Sequence, residues 1–451
     1  MAVTSLLSGP VEGGTGATVV AEVGPGVPCR LLCSESADYS APVYSNPVVS
    51  DADGYAKLAI TGLSPRRRYH FKVERAGAPD PMAGMFQTLP VVGQPASFMI
   101  AHSSCVGQIG GVATPSNHRV FDAIRARDPL LFILHGDFGY NIPSGATAAH
   151  YRQNLREQIT QSRQAALFAN VPLLPMWDDH DFYTDNSDGT NPSKAIAAAC
   201  FRQMYPHPPL AALDSVNYSV TIGRFKFIVT DNRYHRTPNS ATDDASKTVL
   251  GAVQKEWFKE ELYASRNDPH QFWVDSNVWP VEAPFFGTDT DKDHWGAFAT
   301  ERAEIDNFRS AEGIRNVSKL SGDMHALGIR LAADYSDAQD VPMNVYQASA
   351  LDATPLGRGL NWDQRALGRG QYATLRLHDD GDNSSMLWEG WRTNPTTGVD
   401  ERVMRDQRRF TGTGAMAGQA VPVRVWNGTE WVNRSTSVWN GADYDKFAAL
   451  I

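Results

Sequence analysis

Residues 130–140 read L-L-F-I-L-H-G-D-F-G-Y, an apolar run that passes directly into polar residues and an aspartate. A short apolar run bounded by a turn residue is typical of a strand that is buried on both faces of a sheet. Polar residues follow five other apolar runs in the same way. These are S-F-M-I-A then H-S-S-C (97–105), P-L-L-P-M-W then D-D-H-D (172–181), F-K-F-I-V-T then D-N-R (225–233), F-W-V then D-S-N (272–277) and V-S-K-L then S-G-D-M-H (317–325). Because ligands bind at the carboxyl ends of strands in open α/β sheets, the sequence predicts one functional site where these ends meet.

Helical patterns separate these strands. Val253, Trp257 and Leu262, for example, keep the spacing expected of one buried helix face. Strands that alternate with helices indicate an α/β fold. We therefore predict an α/β catalytic domain over residues 91–415.

The two ends of the chain have other patterns. In residues 1–90, short alternating segments lie between Gly, Pro, Ser and Asp clusters, which predicts a small all-β sandwich similar to a fibronectin type III or immunoglobulin-like domain. Tyr69, in T-G-L-S-P-R-R-R-Y, matches the tyrosine corner of such domains. Residues 416–451 contain two V-W-N-G repeats, at Trp426 and Trp439, and Asn-Gly between apolar residues predicts a hairpin, hence a short β tail.

The overall composition limits the possible functions. The chain has 451 residues, 42% of them hydrophobic and 20% charged, with a net charge of −9. This balance argues against a surface for specific nucleic-acid binding. We find no apolar run near the ~18 residues of a membrane span and no leader pattern at the start, so we expect no transmembrane segment.

The residues at the strand ends form a mixed set of metal donors. Asp137, Asp179 and Asp323 offer hard oxygen atoms, and His325 follows Asp323 at i+2, on the same side of an extended segment. The other two donors are sulfur and phenolate, which favour a highly charged transition metal; they belong to Cys105 and Tyr140. The set predicts two unlike cations, and Asp137 is the natural bridge between them. Taken singly, each motif has a simpler explanation, since Gly-Asp after a strand is usually a turn and D-D-H-D is often a helix cap.

The order of the motifs identifies a family. S-S-C, G-D-F-G-Y, W-D-D-H-D, D-N-R-Y-H-R and S-G-D-M-H resemble the PhoD-like alkaline phosphatases and phosphodiesterases of the calcineurin-like metallophosphoesterases. The resemblance implies a β-sandwich core flanked by helices, preceded by a small all-β domain. It also implies a protein that is usually exported, to the periplasm or outside the cell. Two positions depart from the family pattern, where Asn141 replaces an acidic residue and Asp181 replaces the glutamate of D-D-H-E.

The resemblance also assigns roles to individual residues. It implies that iron(III) is held by Cys105, Asp137, Tyr140 and His325, and that calcium, or another divalent metal such as manganese, magnesium or zinc, is held by Asp137, Asp179 and Asp323. Asn277 lies where the superfamily has a further metal ligand.

Three further residues correspond to non-ligand positions of the family. His180 matches a histidine that contacts phosphate or protonates the leaving group. Arg233 and Arg236 match family arginines, and for these a phosphate contact and a structural salt bridge are equally open; Arg233 is our candidate for a catalytic role.

These assignments predict a phosphoric ester hydrolase that acts on small phosphate monoesters or diesters. Two cations that share a bridging water would lower its pKa and supply hydroxide for in-line attack on phosphorus. Two alternatives stay open. One is a phospholipase D-like or organophosphate triester hydrolase with the same site, and the other is a surface- or virion-associated binding protein with a vestigial enzyme core, which the repeated W-N-G motif favours.

Overall fold

The structure is a computed structural model that describes residues 2–279, 293–331, 343–356 and 362–410, and the backbone of 423–426 and 431–434. The N-terminal strands are β1 (Ser5–Pro10), β2 (Gly16–Glu22), β3 (Pro28–Ser34), β4 (Val43–Tyr44), β5 (Val48–Val49), β6 (Tyr55–Thr61), β7 (Arg68–Arg75) and β8 (Ala78–Gln87). The later strands are β9 (Phe98–Ser103), β10 (Val106–Ile109), β11 (Val112–Ala113), β12 (Phe132–His135), β13 (Leu173–Met176), β14 (Tyr218–Ile222), β15 (Phe225–Val229), β16 (His270–Val274), β17 (Val317–Ser321), β18 (Ala326–Arg330), β19 (Asn344–Ala348), β20 (Asp352–Ala353), β21 (Gln364–Leu367), β22 (Gln371–Asp379), β23 (Ser384–Thr393), β24 (Asp400–Phe410), β25 (Val423–Trp426) and β26 (Trp431–Arg434). The helices are α1 (Val120–Ala126), α2 (Ala148–Ile159), α3 (Ser162–Phe168), α4 (Asp179–Phe182), α5 (Lys194–Met204), α6 (Ala252–Ala264) and α7 (Ala299–Ala311), with short 3-10 helices at Glu12–Gly14 and Trp295–Phe298.

The N-terminal strands form two antiparallel sheets. Strands β1, β2 and β6 make one, and β4, β3, β7 and β8 make the other, in which β5 also pairs with β3. Their apolar side chains share one core, which includes Val19, Leu58 and Phe71. The Tyr69 hydroxyl accepts the backbone N–H of Ser64 at 3.0 Å, the contact that a tyrosine corner makes. The likeness of this unit to a fibronectin type III or immunoglobulin-like domain stays a prediction.

Two larger mixed sheets form the centre of the molecule. The six-stranded sheet has the order β13-β12-β9-β22-β23-β24, and the seven-stranded sheet has the order β14-β15-β16-β17-β19-β18-β21. The sheets face each other across a shared apolar core, to which Ile133 and Leu375 contribute from the first sheet and Phe272 and Leu320 from the second. The centre of the chain is thus a β-sandwich.

Helices cover the outer face of each sheet. Strand β12 shows why, since Phe132 and Leu134 pack into the cluster with α1, α2, α3 and α5 while Ile133 points into the sandwich. On the other side, Trp273 of β16 packs against α6 and α7 through Phe258 and Ile305. Apolar residues on both faces of a strand require cover on both sides, so the predicted α/β fold with a sandwich core is confirmed.

The predicted inner face of α6 was wrong in part. Val253 is exposed, and the buried positions of this helix are Gln254, Phe258 and Leu262. Leu262 was assigned correctly. The stripe runs along the i, i+4, i+8 row, and the glutamine at its start is buried because it hydrogen-bonds the backbone of Asp231.

Part of the predicted β tail is described. Strands β25 and β26 pair antiparallel, with Trp426 opposite Trp431. The second repeat, at Trp439, lies outside the described residues. No helix in the described ranges combines the length and apolar character that a bilayer crossing requires.

Candidate metal centre

The six apolar runs that precede polar residues are the parallel strands β9, β12 and β13 of one sheet and β15, β16 and β17 of the other. The polar residues after these strands meet at one edge of the sandwich. Donor atoms of Cys105, Asp137 and His325 all lie within 4.8 Å of one another, and so do those of Asp137, Asp178, Asp179 and Asp323. Asp137 belongs to both groups. The structure therefore brings the predicted thiol, imidazole and carboxylate ligands into one cluster.

Tyr140 lies beside the ligand group formed by Cys105, Asp137 and His325. Its hydroxyl lies 2.9 Å from Asp137 Oδ2 and 3.2 Å from His325 Nε2, and the Cys105 Sγ lies 3.3 Å from the same Asp137 oxygen. His325 Nδ1 lies 2.6 Å from the carbonyl oxygen of Thr354, which fixes this nitrogen as the donor. The Nε2 lone pair of His325 consequently faces Asp137, Tyr140 and Cys105.

The backbone holds four of the predicted ligands in the left-handed region. The φ angles are 63° at Cys105, 55° at Asp137, 68° at Asp323 and 50° at His325. Residues other than glycine adopt this region at a cost, and such strain concentrates at functional sites where the surrounding structure enforces it. Here the tight turns after β9, β12 and β17 direct the four side chains into the two ligand groups that share Asp137.

Several carboxylate oxygens in the cluster accept no hydrogen bond from the described residues. Asp179 is the first residue of α4, and its Oδ2 accepts the N–H of Asn186 at 2.6 Å. By contrast Asp137 Oδ1, Asp178 Oδ2 and Asp179 Oδ1 are buried and have no hydrogen-bond partner in the described part of the chain. Buried carboxylate oxygens without donors are costly unless a cation neutralises them.

The raised pKa values of the acidic groups in the cluster also indicate a site for cations. Burial, and then the neighbouring Asp179, raise the pKa of Asp137 well above its ordinary value. Burial also raises the pKa of the Cys105 thiol, and Asp137 and Asp323 add to the effect. Carboxylates and a thiol that repel one another in this way suit bound cations, which reverse the sign of the local field. The residues present therefore fit the predicted metal ions.

His180 lies at the rim of the cluster. Its ring packs on the ring of Tyr140 with 4.2 Å between centroids, and its side chain keeps 18% of its surface exposed. Nε2 lies 3.8 Å from Asp179 Oδ2 and 3.5 Å from Asp185 Oδ1. Burial alone would lower the pKa of His180, but the carboxylates of Asp179, Asp185 and Asp137 outweigh it and raise this pKa to about 10. Without bound cations, the imidazole consequently holds a proton at neutral pH.

Arg233 and Arg236 form buried salt bridges, which is the alternative to a phosphate contact given above. The guanidinium of Arg233 is fully buried, 2.5 Å from Asp178 Oδ1 and 2.8 Å from Asp293 Oδ2. Arg236 is also fully buried, and its Nη2 lies 2.8 Å from Asp293 Oδ1. These contacts fit the structural salt bridge, in which Arg233 holds Asp178 behind the cluster, and the catalytic role of Arg233 stays a prediction.

Asn277 is equally buried. Its Oδ1 accepts a hydrogen bond from Arg236 Nη1 at 2.9 Å, while its Nδ2 has no hydrogen-bond partner among the described residues. In this orientation the oxygen that a metal would need faces Arg236. The proposed ligand role of Asn277 finds no support in these contacts.

Three acidic residues near the cluster were not predicted to have a role. Asp178 lies within the carboxylate group, Asp185 contacts His180, and Asp181 accepts backbone N–H groups at the edge of the site. The signal for Asp178 and Asp181 was the run D-D-H-D itself, in which only the second aspartate was assigned to metal; Asp185 lies four residues beyond this run.

The sandwich of two mixed sheets, with this cluster at the strand ends, defines an α/β protein with a candidate metal centre. The family model for PhoD-like phosphatases matches residues 111–365, more than half of the chain. The chain belongs to the PhoD-like phosphatase family.

Individual relatives agree with this assignment. The chain is 23% identical to alkaline phosphatase D of Bacillus subtilis (strain 168) over 347 residues, which is 66% of this chain and 56% of that protein. The chain thus spans little more than half the length of this curated relative.

Two solved structures share the fold. A structure of PhoD superposes with a TM-score of 0.76 at 15% identity, covering 93% of this chain and 91% of the other. Purple acid phosphatase PPD1 from yellow lupin (Lupinus luteus) seeds gives a TM-score of 0.65 at 13% identity, covering 89% of this chain and 73% of the other.

Proposed function

We propose that this protein is a metal-dependent phosphoesterase that hydrolyses small phosphate monoesters or diesters. The observation that carries the proposal is the position of Asp137, whose carboxylate belongs to both groups of candidate ligands. A carboxylate shared between a sulfur- and nitrogen-containing group and an all-carboxylate group is suited to two unlike cations held side by side.

The two groups suggest two ions. Cys105, Asp137, Tyr140 and His325 would hold iron(III), and Asp137, Asp179 and Asp323 would hold calcium or another divalent metal. When bound, these ions would supply an activated water and offset the negative charge of the phosphoryl oxygens.

The chain itself contributes a proton donor. Without bound cations the neighbouring carboxylates favour the protonated imidazole of His180, and Asp185, which is not a proposed metal ligand, stays beside it. The exposed edge of His180 lies beside Asp179 at the rim. From there it would bind a phosphoryl oxygen or protonate the departing alkoxide. Tyr140 holds the imidazole from one side through the ring contact, and Asp185 holds it from another.

We also propose that the chain divides at about residues 90 and 415. The N-terminal sheets have a core of their own, which supports the first boundary: among the described residues, Ala169 is the one member of that cluster from outside residues 1–90. Leu7, Val20 and Tyr55 pack instead into the cluster of the central domain and form the contact between the two units. Limited proteolysis should then cut between residues 90 and 97 before it cuts elsewhere in the described ranges. Early cleavage within β2 or β7 would contradict this division.

Hydrolysis of nitrophenyl mono-, di- and triesters tests the proposed function. We expect turnover of a monoester or diester that EDTA abolishes and that added metal restores. Asp137→Asn should lower kcat/KM by at least about 100-fold, because both ion positions depend on this carboxylate. The control is Asp80→Asn, which changes a buried aspartate in the N-terminal sheets that accepts the N–H of Val3.

Three outcomes would contradict the proposal. Activity that resists both EDTA and Asp137→Asn would exclude a metal mechanism at this site. Turnover of triesters alone would favour the organophosphate hydrolase. Absence of bound metal together with absence of turnover would favour a binding protein with a vestigial site.

A further inference from the structure

The sulfur of Cys105 has two serine hydroxyls beside it. Ser349 Oγ lies 3.1 Å from Sγ and Ser104 Oγ lies 3.3 Å from it. All three side chains are fully buried. Neither serine is a candidate metal ligand in the proposed function.

The same two hydroxyls accept backbone N–H groups from the turn after β17. Ser104 Oγ accepts from Asp323 N at 3.0 Å, and Ser349 Oγ accepts from His325 N at 3.0 Å. A hydroxyl has a single hydrogen to donate. Each serine oxygen already accepts one backbone N–H, so its own hydroxyl hydrogen can point at the sulfur of Cys105. A thiolate has no hydrogen, so it can only accept this hydrogen bond.

This arrangement joins the two sheets at the metal centre. Cys105 and Ser104 follow β9 of the six-stranded sheet, whereas Ser349 and the turn of Asp323 and His325 follow β19 and β17 of the seven-stranded sheet. Backbone hydrogen bonds from Leu351 N to Ser104 O and from Asp352 N to Cys105 O hold the same junction.

Gly322 permits the close approach of Ser104. A Cβ at residue 322 would lie 2.7 Å from Ser104 Oγ and 2.7 Å from the Cβ of His135. A larger residue there would displace the hydroxyl from its place between Asp323 N and Cys105 Sγ.

We propose that Ser104 and Ser349 are positioning residues that donate hydrogen bonds to the Cys105 thiolate and so set how strongly this sulfur binds its metal ion. The inference rests on the proposed function for the presence of that ion. Hydrogen bonds to a ligating sulfur lower its electron density, which sets the energy of charge transfer to the metal. They also hold the sulfur in place and stabilise the thiolate against protonation, and loss of such groups around the ligands costs about 10- to 100-fold in metal affinity.

The test uses the full-length protein, stripped with EDTA and titrated with Co²⁺ alone. A sulfur-to-cobalt charge-transfer band that Cys105→Ser removes would report the thiolate directly. We expect Ser104→Ala and Ser349→Ala to move this band to lower energy and to weaken Co²⁺ binding about 10-fold in competition with a chelator. Ser349→Thr, which keeps the hydroxyl, should restore the position of the band.

Ser103→Ala is the matched control. Ser103 is equally buried and adjacent in sequence, but its hydroxyl donates to the carbonyl oxygen of Gln371 at 2.9 Å. It should change neither the band nor the affinity.

Two results of the cobalt titration would overturn the inference, and they are distinguishable. A band at the same energy in Ser104→Ala, Ser349→Ala and Ser103→Ala would remove the role of the serines while the metal centre stands. A native protein without any Cys105-dependent band would remove the proposed metal centre and the inference with it.

A measurement on the unsubstituted protein covers the case of variants that do not fold. Resonance Raman spectra in H₂O and D₂O should show a shift of the cobalt–sulfur stretch, because the serine hydroxyl hydrogens exchange. An unshifted stretch would overturn the inference.

Discussion

Asp181 holds Asp137 through the backbone: its Oδ2 accepts the N–H of Asp137 at 2.5 Å. The same side chain accepts from Phe138 N at 2.8 Å and from Asp178 N at 2.9 Å. One carboxylate thus ties the turn after β12 to the turn after β13. Burial raises the pKa of Asp181 to about 6. Its carboxyl group is therefore mostly ionised at neutral pH.

Asp181→Asn should destabilise the metal-free protein. The amide keeps one acceptor and turns an N–H donor toward a backbone N–H, so we expect the free energy of unfolding to fall by about 2 kcal/mol. Urea unfolding of the EDTA-treated protein measures this. Asp188→Asn, which alters an aspartate that caps its own turn at Thr190, is the control and should stay within about 0.5 kcal/mol of the unsubstituted protein. Equal midpoints for both variants would show that the three contacts of Asp181 contribute little.

Arg233→Lys should separate a structural role from substrate binding. Lysine keeps the charge but cannot reach Asp178 and Asp293 together, so we expect a loss of about 3 kcal/mol in unfolding free energy, with KM for nitrophenyl phosphate unchanged. Arg125→Lys, in an exposed pair with Asp122, is the matched control. A tenfold rise in KM without a loss of stability would instead identify Arg233 as a phosphate contact.

His180→Gln should reduce activity in a way that depends on the leaving group. If His180 protonates the departing oxygen, kcat should fall by about 100-fold for an alkyl phosphate and far less for a nitrophenyl ester, whose leaving group needs no proton. The partly buried His150, whose Nδ1 accepts the N–H of Thr147, provides the control variant His150→Gln. Equal losses on both substrates would indicate that His180 acts on the phosphoryl oxygens.

His270 should make the protein sensitive to acid. Burial lowers the pKa of His270 to about 3, whereas histidine in an unfolded chain titrates near 6.5. Between these values the unfolded state binds one more proton at this residue, so the free energy of unfolding falls as the pH is lowered, by up to about 1.4 kcal/mol per pH unit.

Urea unfolding at pH 6.5 and pH 5 measures this slope. His270→Gln should reduce the decrease by about 2 kcal/mol over that interval, and His70→Gln, at a partly exposed position on β7, should leave it unchanged. An identical decrease in all three proteins would assign the acid sensitivity to other groups.

The sequence allowed the position of the candidate site to be predicted because of where its polar residues occur. Cys105, Asp137 and Asp323 each follow an apolar run, and parallel strands place such residues at one edge. The helical and strand periodicities likewise indicated the α/β layers, although Val253 was placed on the wrong face of α6.

The contacts between loops could not be predicted from the periodicity of apolar residues. Whether Arg233 meets phosphate or a carboxylate depends on Asp293, which lies sixty residues away in a segment without strand or helix periodicity. The contact between Asp185 and His180 and the orientation of Asn277 depend in the same way on packing that no local spacing encodes. Buried hydroxyls such as Ser349 carry no sequence signal at all, because serine is common at strand ends.

The left-handed backbone at Cys105, Asp137, Asp323 and His325 has an evolutionary consequence. Glycine at any of these four places would relieve roughly 1 kcal/mol or more of conformational strain, so a lineage that had abandoned chemistry here would gain robustness by drifting toward glycine. This chain instead keeps a thiol, two carboxylates and an imidazole at these positions. It therefore retains a conformational strain that folding alone does not require.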